Sequence, residues 1–204
     1  MSRIISFGCS FTFGTSLPDC IRGHRDDPPS QYAWPSVIGR TIRRPVKNFA
    51  VPGASNLEIL YTIDRNQSYL KPNDRVFIMW SFLERTCVID DNSVRQIGPW
   101  IDKPYAEKYY QFLHSDYHDK FVYPILIREA DRILRSKVNQ VFYLEVQPSN
   151  CFPLTLLPID YDSVYDLTET VSSLHLGADG QHPGIIKHEN LAKSILKHAR
   201  SDLL

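Results

Sequence analysis

Short apolar runs alternate along this chain with longer segments whose apolar residues recur at helical spacing. The runs predict buried strands at residues 4–7, 46–51, 75–80 and 140–146. The periodic segments predict helices at residues 30–44, 57–63, 105–136 and 185–196. Because strands that alternate with helices pair in parallel through right-handed crossovers, the pattern predicts an α/β fold, a three-layer α/β/α sandwich with a parallel central sheet.

Three smaller features complete the predicted architecture. Turn residues at 90–93 separate two short extended segments, 86–89 and 94–97, which indicates a small inserted hairpin. The long helical segment is expected to divide near Pro124, and a short helix is expected at 161–172.

The length and charge of the chain restrict the kind of protein it can be. A chain of 204 residues favours a single domain spanning residues 1–204. Lysine and arginine together number 23, as do aspartate and glutamate, so a nucleic-acid-binding protein with its basic excess is disfavoured. His114 and His118 lie four residues apart, but neither a third ligand nor an H-E-x-x-H glutamate accompanies them, so no metal site is predicted.

Cysteine usage and the N-terminus indicate the compartment. The four cysteines lack C-x-x-C spacing, which favours reduced thiols, although their number also allows two disulfides. The N-terminal apolar run ends at Gly8 and is too short for the core of a signal peptide. No apolar stretch approaches the roughly 20 residues that span a bilayer. These features predict a cytoplasmic protein without a membrane span and leave its oligomeric state open.

Small and polar residues follow three of the predicted strands. Gly8, Cys9 and Ser10 follow the first strand, Gly53 follows the second, and Ser81 follows the third. In open parallel sheets, functional groups gather at the carboxyl ends of the strands. We therefore expect these three segments to converge at one edge of the sheet.

The segment 179–183 reads D-G-Q-H-P and precedes the last predicted helix. A serine is a poor nucleophile unless a base removes its proton, and the base needs a carboxylate to orient its ring and stabilise the imidazolium. Irregular backbone between Asp179 and His182 would let the carboxylate fold back onto the imidazole. Ser10, His182 and Asp179 are therefore predicted as nucleophile, base and orienting acid, although Ser10 alone would also suit a helix cap.

Three segments together resemble the sequence blocks of the SGNH hydrolases, also called GDSL esterases or lipases, in a divergent form. Residues 8–14 (G-C-S-F-T-F-G) resemble the first block, residues 48–56 (N-F-A-V-P-G-A-S-N) the second, and residues 179–183 the last, D-x-x-H-P. The resemblance implies the SGNH or flavodoxin-like architecture, the triad of Ser10, His182 and Asp179, and an oxyanion hole formed by the N–H groups of Ser10 and Gly53. It also implies hydrolysis of carboxylic esters, such as O-acetyl sugars or short acyl esters, without a cofactor.

The chain departs from this family pattern at two places. Cys9 replaces the aspartate that precedes the family's serine. The third block, G-x-N-D, is missing after the third predicted strand, where residues 80–85 read W-S-F-L-E-R. Ser81 or Arg85 could replace the asparagine of that block as an oxyanion donor. Asn56 is a further candidate for substrate binding, although it would equally suit the first turn of a helix.

Three functions are compatible with these motifs. The first is a serine esterase that acts on a small-molecule or carbohydrate ester. The second is a binding or structural module with a decayed site, which the missing third block suggests. The third is an O-acyltransferase that uses the same serine to pass an acyl group to a sugar hydroxyl.

Overall fold

The computed structural model describes residues 2–91, 93–146, 164–166 and 175–198. The strands of its central sheet are β1 (Ile4–Phe7), β2 (Val46–Asn48), β3 (Arg75–Trp80), β6 (Gln140–Glu145) and β7 (Val164–Asp166). They are parallel and lie in the order β2-β1-β3-β6-β7. The predicted parallel sheet is therefore confirmed.

Helices cover the sheet and complete the sandwich. They are α1 (Ser10–Phe13), α2 (Trp34–Thr41), α3 (Asn56–Asn66), α4 (Pro104–Phe112), α5 (Asp116–Arg135) and α6 (Ile185–His198). Helix α2 packs against α6, and α3 packs against α5. The predicted α/β/α class is confirmed, because the two helix pairs leave the central strands without a solvated face.

The apolar core lies where β3 and β6 pair. Every residue of β3 except the first is buried, and the same holds for β6. Phe77 and Phe142 are register partners, and their rings stack with centroids 4.6 Å apart. Burying an aromatic or branched aliphatic side chain of this size contributes about 1.5–3 kcal/mol to folding, so these strands fix the frame that carries the site.

The inserted hairpin is present as predicted. It consists of β4 (Thr86–Asp90) and β5 (Ser93–Ile97), which pair antiparallel and form a separate two-stranded sheet. Strand β4 contacts α3, so the hairpin folds back over the helix that follows β2.

The long helical segment divides at a different place from the one predicted. The break lies at residues 113–115, between α4 and α5, and Pro124 lies inside α5. Ser115 caps α5 by accepting a hydrogen bond from the His118 N–H, and Asp116 and Asp119 stand in the first turn. This cap and the favourable charges at the helix N-terminus define the boundary more strongly than the proline does.

The short helix predicted at 161–172 is contradicted where the structure describes that range. Val164–Asp166 forms strand β7, which pairs with Tyr143, Leu144 and Glu145 at the edge of β6. Pairing with an exposed strand edge satisfies backbone groups that a helix would satisfy internally. The remainder of that range, like the predicted loop 147–158, lies outside the described residues.

Two further observations concern cysteines and membranes. Cys9, Cys20 and Cys87 are free buried thiols, and Cys151 lies outside the described residues. Within the ranges that the structure describes, no helix is both long and apolar enough to cross a bilayer.

Candidate active site

Ser10 lies at the carboxyl end of β1. The strand ends at Phe7, Cys9 keeps an extended backbone, and Ser10 is the first residue of α1. Its N–H therefore has no acceptor within the helix. Ser10 is 4% exposed. The turn that carries it is tight, because a Cβ at Gly8 would lie 2.3 Å from Thr12 Oγ1.

Gly53 is held beside this turn by backbone hydrogen bonds that continue past the end of β2. The Phe49 N–H donates to Ser6 O at 2.8 Å, and the Val51 N–H donates to Gly8 O at 3.0 Å. Gly53 follows two residues later with a φ of +74°, a conformation that favours glycine. The structure thus brings Gly53 close to the turn that carries Ser10.

Asp179 and His182 form a hydrogen-bonded pair in the loop before α6. Asp179 Oδ2 lies 2.5 Å from His182 Nδ1, and Asp179 Oδ1 accepts the N–H groups of Gln181 and His182, each at 3.0 Å. The loop is closed on itself by the Gly177 N–H, which donates to His182 O at 2.7 Å. The carboxylate therefore orients the imidazole through one ring nitrogen and leaves the other for a reacting group.

Hydrogen bonds keep Asp179 ionised. Partial burial acts to raise the pKa of Asp179. Hydrogen bonds from the backbone N–H groups of His182 and Gln181, and from the side chains of His182 and Ser16, lower the pKa by more, so it lies well below its usual value. A permanently ionised carboxylate is what a histidine base requires, because it stabilises the imidazolium that forms when the base takes a proton.

Ser16 anchors the Asp179–His182 loop to the segment after α1. Its carbonyl accepts the Ala178 N–H at 2.9 Å, and a Cβ at Gly177 would lie 2.8 Å from the same oxygen. Ser16 is 3% exposed and has a φ of +69°, which is unusual for a residue other than glycine. Nothing in the sequence marked Ser16, because its role depends on this backbone conformation and on its contact with Ala178, which lies far away in the sequence.

The His182 ring also contacts α1 directly. The centroids of the Phe11 and His182 rings are 5.6 Å apart. Since Phe11 follows Ser10, the imidazole lies beside the helical turn that carries the serine.

Asn56 and Ser81 are brought together, but through the Ser81 backbone. Asn56 Oδ1 accepts the Ser81 N–H at 2.7 Å, and Asn56 Nδ2 donates to Ser81 O at 3.2 Å. Both polar ends of the Asn56 amide are engaged, and both residues are buried. Asn56 therefore ties the start of α3 to the end of β3, a structural contact that the sequence analysis left open.

Arg85 occupies the place of the missing third block. Its guanidinium carbon lies 4.3 Å from the ring centroids of both Phe82 and Trp100, and its Nη1 donates to Ser81 Oγ at 3.2 Å. Burial lowers the pKa of Arg85, while the neighbouring Cys9 thiol acts in the opposite direction. The guanidinium is thus clamped between two rings, next to the residue that precedes Ser10.

His114 lies in the turn between α4 and α5, and His118 lies in the first turn of α5. His114 Nε2 lies 3.0 Å from Asp119 Oδ2, so this histidine pairs with a carboxylate. Throughout the described part of the chain, no cluster of three or more histidine, cysteine, aspartate or glutamate side chains could hold a metal ion.

Comparison with known proteins places the fold. No family model and no curated protein sequence matches the chain. A lipolytic protein of the G-D-S-L family from Veillonella parvula DSM 2008 is 15% identical, with a TM-score of 0.55 over 97% of each chain. An acetyl xylan esterase from Butyrivibrio proteoclasticus is 14% identical, with a TM-score of 0.60 over 98% of this chain and 64% of the other. The aryl esterase of M. smegmatis is 14% identical, with a TM-score of 0.56 over all of both chains.

These likenesses are likenesses of fold. The chain has the fold of the SGNH, or GDSL, hydrolases, as its three sequence blocks indicate.

Proposed function

We propose that this chain is a serine esterase that hydrolyses carboxylic esters through an acyl-enzyme on Ser10. The observation that carries the proposal is the hydrogen-bonded pair of Asp179 and His182. The His182 ring packs on Phe11, the residue that follows Ser10. An oriented histidine next to a serine at the carboxyl edge of a parallel sheet is the arrangement that activates a hydroxyl for acyl transfer.

His182 takes up and returns a proton once in acylation and once in deacylation. His182 takes the proton from the Ser10 hydroxyl while Ser10 Oγ bonds to the ester carbonyl carbon. The imidazolium then protonates the departing alcohol oxygen as the carbon–oxygen bond breaks, which leaves the acyl group on Ser10. Water repeats the sequence: His182 removes its proton, hydroxide attacks the acyl carbon, and Ser10 recovers its proton as the acid leaves.

Three donors would stabilise the negative oxygen of the tetrahedral intermediate. The positions of Ser10 and Gly53 on adjoining turns support their N–H groups as two of these donors. Arg85 is the candidate for the third, because its guanidinium lies next to Cys9 and Ser81. Each such donor contributes about 3–4 kcal/mol in the transition state.

The substrate class is an ester with a small acyl group, such as an O-acetyl sugar or a short acyl or aryl ester. Two proteins of the same fold are named as an acetyl xylan esterase and an aryl esterase, which supports small-molecule and carbohydrate esters as first candidates. p-Nitrophenyl acetate is a suitable probe because it combines an acetyl group with an aryl leaving group.

The decisive comparison is hydrolysis of p-nitrophenyl acetate by the wild type and by Ser10→Ala. We expect turnover by the wild type and a loss of at least about 1,000-fold in Ser10→Ala. Ser136→Ala is the matched control, because Ser136 ends α5 ahead of the amino end of β6, at the opposite edge of the sheet. Equal turnover by Ser10→Ala would contradict the proposal. So would an inactive wild type, which is what a decayed site would give.

A further inference from the structure

The orientation of the Gly53 N–H depends on the peptide group that joins it to Pro52. A trans peptide is planar, so its N–H points away from its carbonyl oxygen. Whatever holds the Pro52 oxygen therefore also fixes the direction of the Gly53 N–H. Gln96, on β5 of the inserted hairpin, donates a hydrogen bond from its Nε2 to Pro52 O at 2.8 Å.

Gln96 is itself fixed in place. Its Nε2 also donates to Glu58 Oε2 at 2.8 Å, so both hydrogens of the amide nitrogen are engaged. Its Oε1 lies against Gly53, where an added Cβ would come within 2.7 Å of it. The Gln96 side-chain amide thus lies against Gly53 through its oxygen and holds the Pro52 carbonyl through its nitrogen.

A buried carboxylate supports this arrangement from behind. Glu58 is 1% exposed, and its second oxygen accepts a hydrogen bond from Arg25 Nη2 at 2.7 Å. Burial raises the pKa of Glu58, and the hydrogen bonds from Gln96 and Arg25 oppose that rise. A buried charge costs free energy unless it is paired, so Glu58 needs both partners.

Three separate elements therefore meet behind Gly53: the loop between α1 and α2, which supplies Arg25, the first turn of α3, which supplies Glu58, and the hairpin, which supplies Gln96. We propose that Gln96, held by Glu58, which in turn pairs with Arg25, is a positioning residue that directs the Gly53 N–H toward the oxyanion. This inference rests on the proposed esterase function, and it gives the inserted hairpin a role in that function.

The test is the kinetics of Gln96→Ala with p-nitrophenyl acetate. A donor that is present but misdirected should lower kcat by about 10- to 100-fold and leave KM within about twofold, since the donor acts in the transition state. Arg95→Ala is the matched control: Arg95 precedes Gln96 on β5, and its side chain is 57% exposed. We expect it to retain wild-type kcat. Thermal unfolding of both variants shows whether each is folded.

A second readout does not depend on activity. The ¹⁵N order parameter and the proton shift of the Gly53 amide report directly on the peptide that Gln96 holds. We expect a lower order parameter and a shifted amide in Gln96→Ala, and no change in Arg95→Ala. Glu58→Gln, which keeps an acceptor for Gln96 without its charge, should give a smaller effect of the same sign.

The outcomes separate this inference from the proposed function. Activity that does not depend on Ser10 would overturn the proposed function, while the Gly53 amide would still decide whether Gln96 orients the peptide. Wild-type kcat and an unchanged Gly53 amide in folded Gln96→Ala would overturn the positioning role and leave the Ser10 chemistry intact.

Discussion

A single carboxylate, Asp179, organises the C-terminal part of the candidate site. Its two oxygens accept hydrogen bonds from the Gln181 and His182 backbone and from the His182 ring, all within four residues of chain. Because these contacts are local, the sequence D-x-x-H was enough to predict that the two side chains would meet. Their catalytic role remains the proposal that the experiments address.

Gly53 offers a residue-level test of the packing of Gln96 against the turn after β2. In Gly53→Ala, the alanine must adopt a φ of +74°, and its Cβ would lie 2.7 Å from Gln96 Oε1. The positive φ alone costs about 1–2 kcal/mol, and the contact adds to it. Urea unfolding should therefore show a larger loss than in Gly180→Ala, because Gly180 has a φ of +68° with nothing within 4 Å of its Cβ position.

A double variant separates the two costs. If the contact with Gln96 matters, Gly53→Ala combined with Gln96→Ala should be more stable than the sum of the single changes predicts. Equal losses in Gly53→Ala and Gly180→Ala, with additive behaviour in the double variant, would show that Gln96 does not press on Gly53.

Arg85 is tested by changing its length and shape. Arg85→Ala should lower kcat by about 100- to 1,000-fold if the guanidinium is the third oxyanion donor. Arg85→Lys keeps the charge without the planar fork that lies between Phe82 and Trp100, so it should recover only part of the activity. Arg22→Ala, at an exposed arginine, is the control. Wild-type kcat in folded Arg85→Ala would assign Arg85 to packing alone.

At the scale of elements, the sequence predicted strands better than helix boundaries. Strand β3 matches the predicted residues 75–80 because a continuous apolar run has one buried arrangement in a parallel sheet. The boundary between α4 and α5 was predicted at Pro124, because proline commonly interrupts helices. The helix α5 instead continues through Pro124, and the Ser115 cap sets its start.

The first turn of helix α2 is capped by a residue that no local sequence pattern reveals. The Trp34 N–H, in its first turn, donates to His188 Nδ1 at 3.1 Å, across 154 residues of chain. His188 is 2% exposed, and burial, assisted by the nearby His182, lowers its pKa to about 4. A histidine in α6 thus does for α2 what a serine or aspartate N-cap usually does.

The buried His188 makes stability depend on pH in a defined direction. Its pKa is depressed on folding, so between the unfolded value of 6.5 and about 4 the unfolded chain binds the extra proton and stability falls as pH falls. Between pH 7 and pH 5 this contribution is about 2 kcal/mol. The glutamine of His188→Gln can still accept a hydrogen bond from the Trp34 N–H but cannot titrate. Between pH 7 and pH 5, its free energy of unfolding in urea should therefore fall by about 2 kcal/mol less than that of the wild type.

The control for this prediction is His24→Gln, which makes the same change at an exposed position. It should keep the pH dependence of the wild type. A wild type and a His188→Gln variant whose stabilities fall in parallel from pH 7 to pH 5 would contradict the assignment of this slope to His188.

At the scale of the whole molecule, the topology accounts for the site. Ser10, Gly53 and Ser81 follow β1, β2 and β3, which are neighbours in the order β2-β1-β3, so the segments that carry them converge at one edge of the sheet, as predicted. The supports behind them could not be predicted. The positive φ of Ser16, the amide of Asn56 and the contact of Gln96 with Pro52 depend on distances between remote segments, and residue type alone does not encode them.

The central claim is that these segments form one reacting unit in which His182 activates Ser10. The most direct measurement is covalent labelling by a fluorophosphonate probe, in which Ser10 Oγ bonds to phosphorus and fluoride leaves. Mass spectrometry of the digested protein should find the label on Ser10 in the wild type and a labelling rate at least about 100-fold lower in His182→Ala. A label on another residue, or equal rates in the two proteins, would contradict the account.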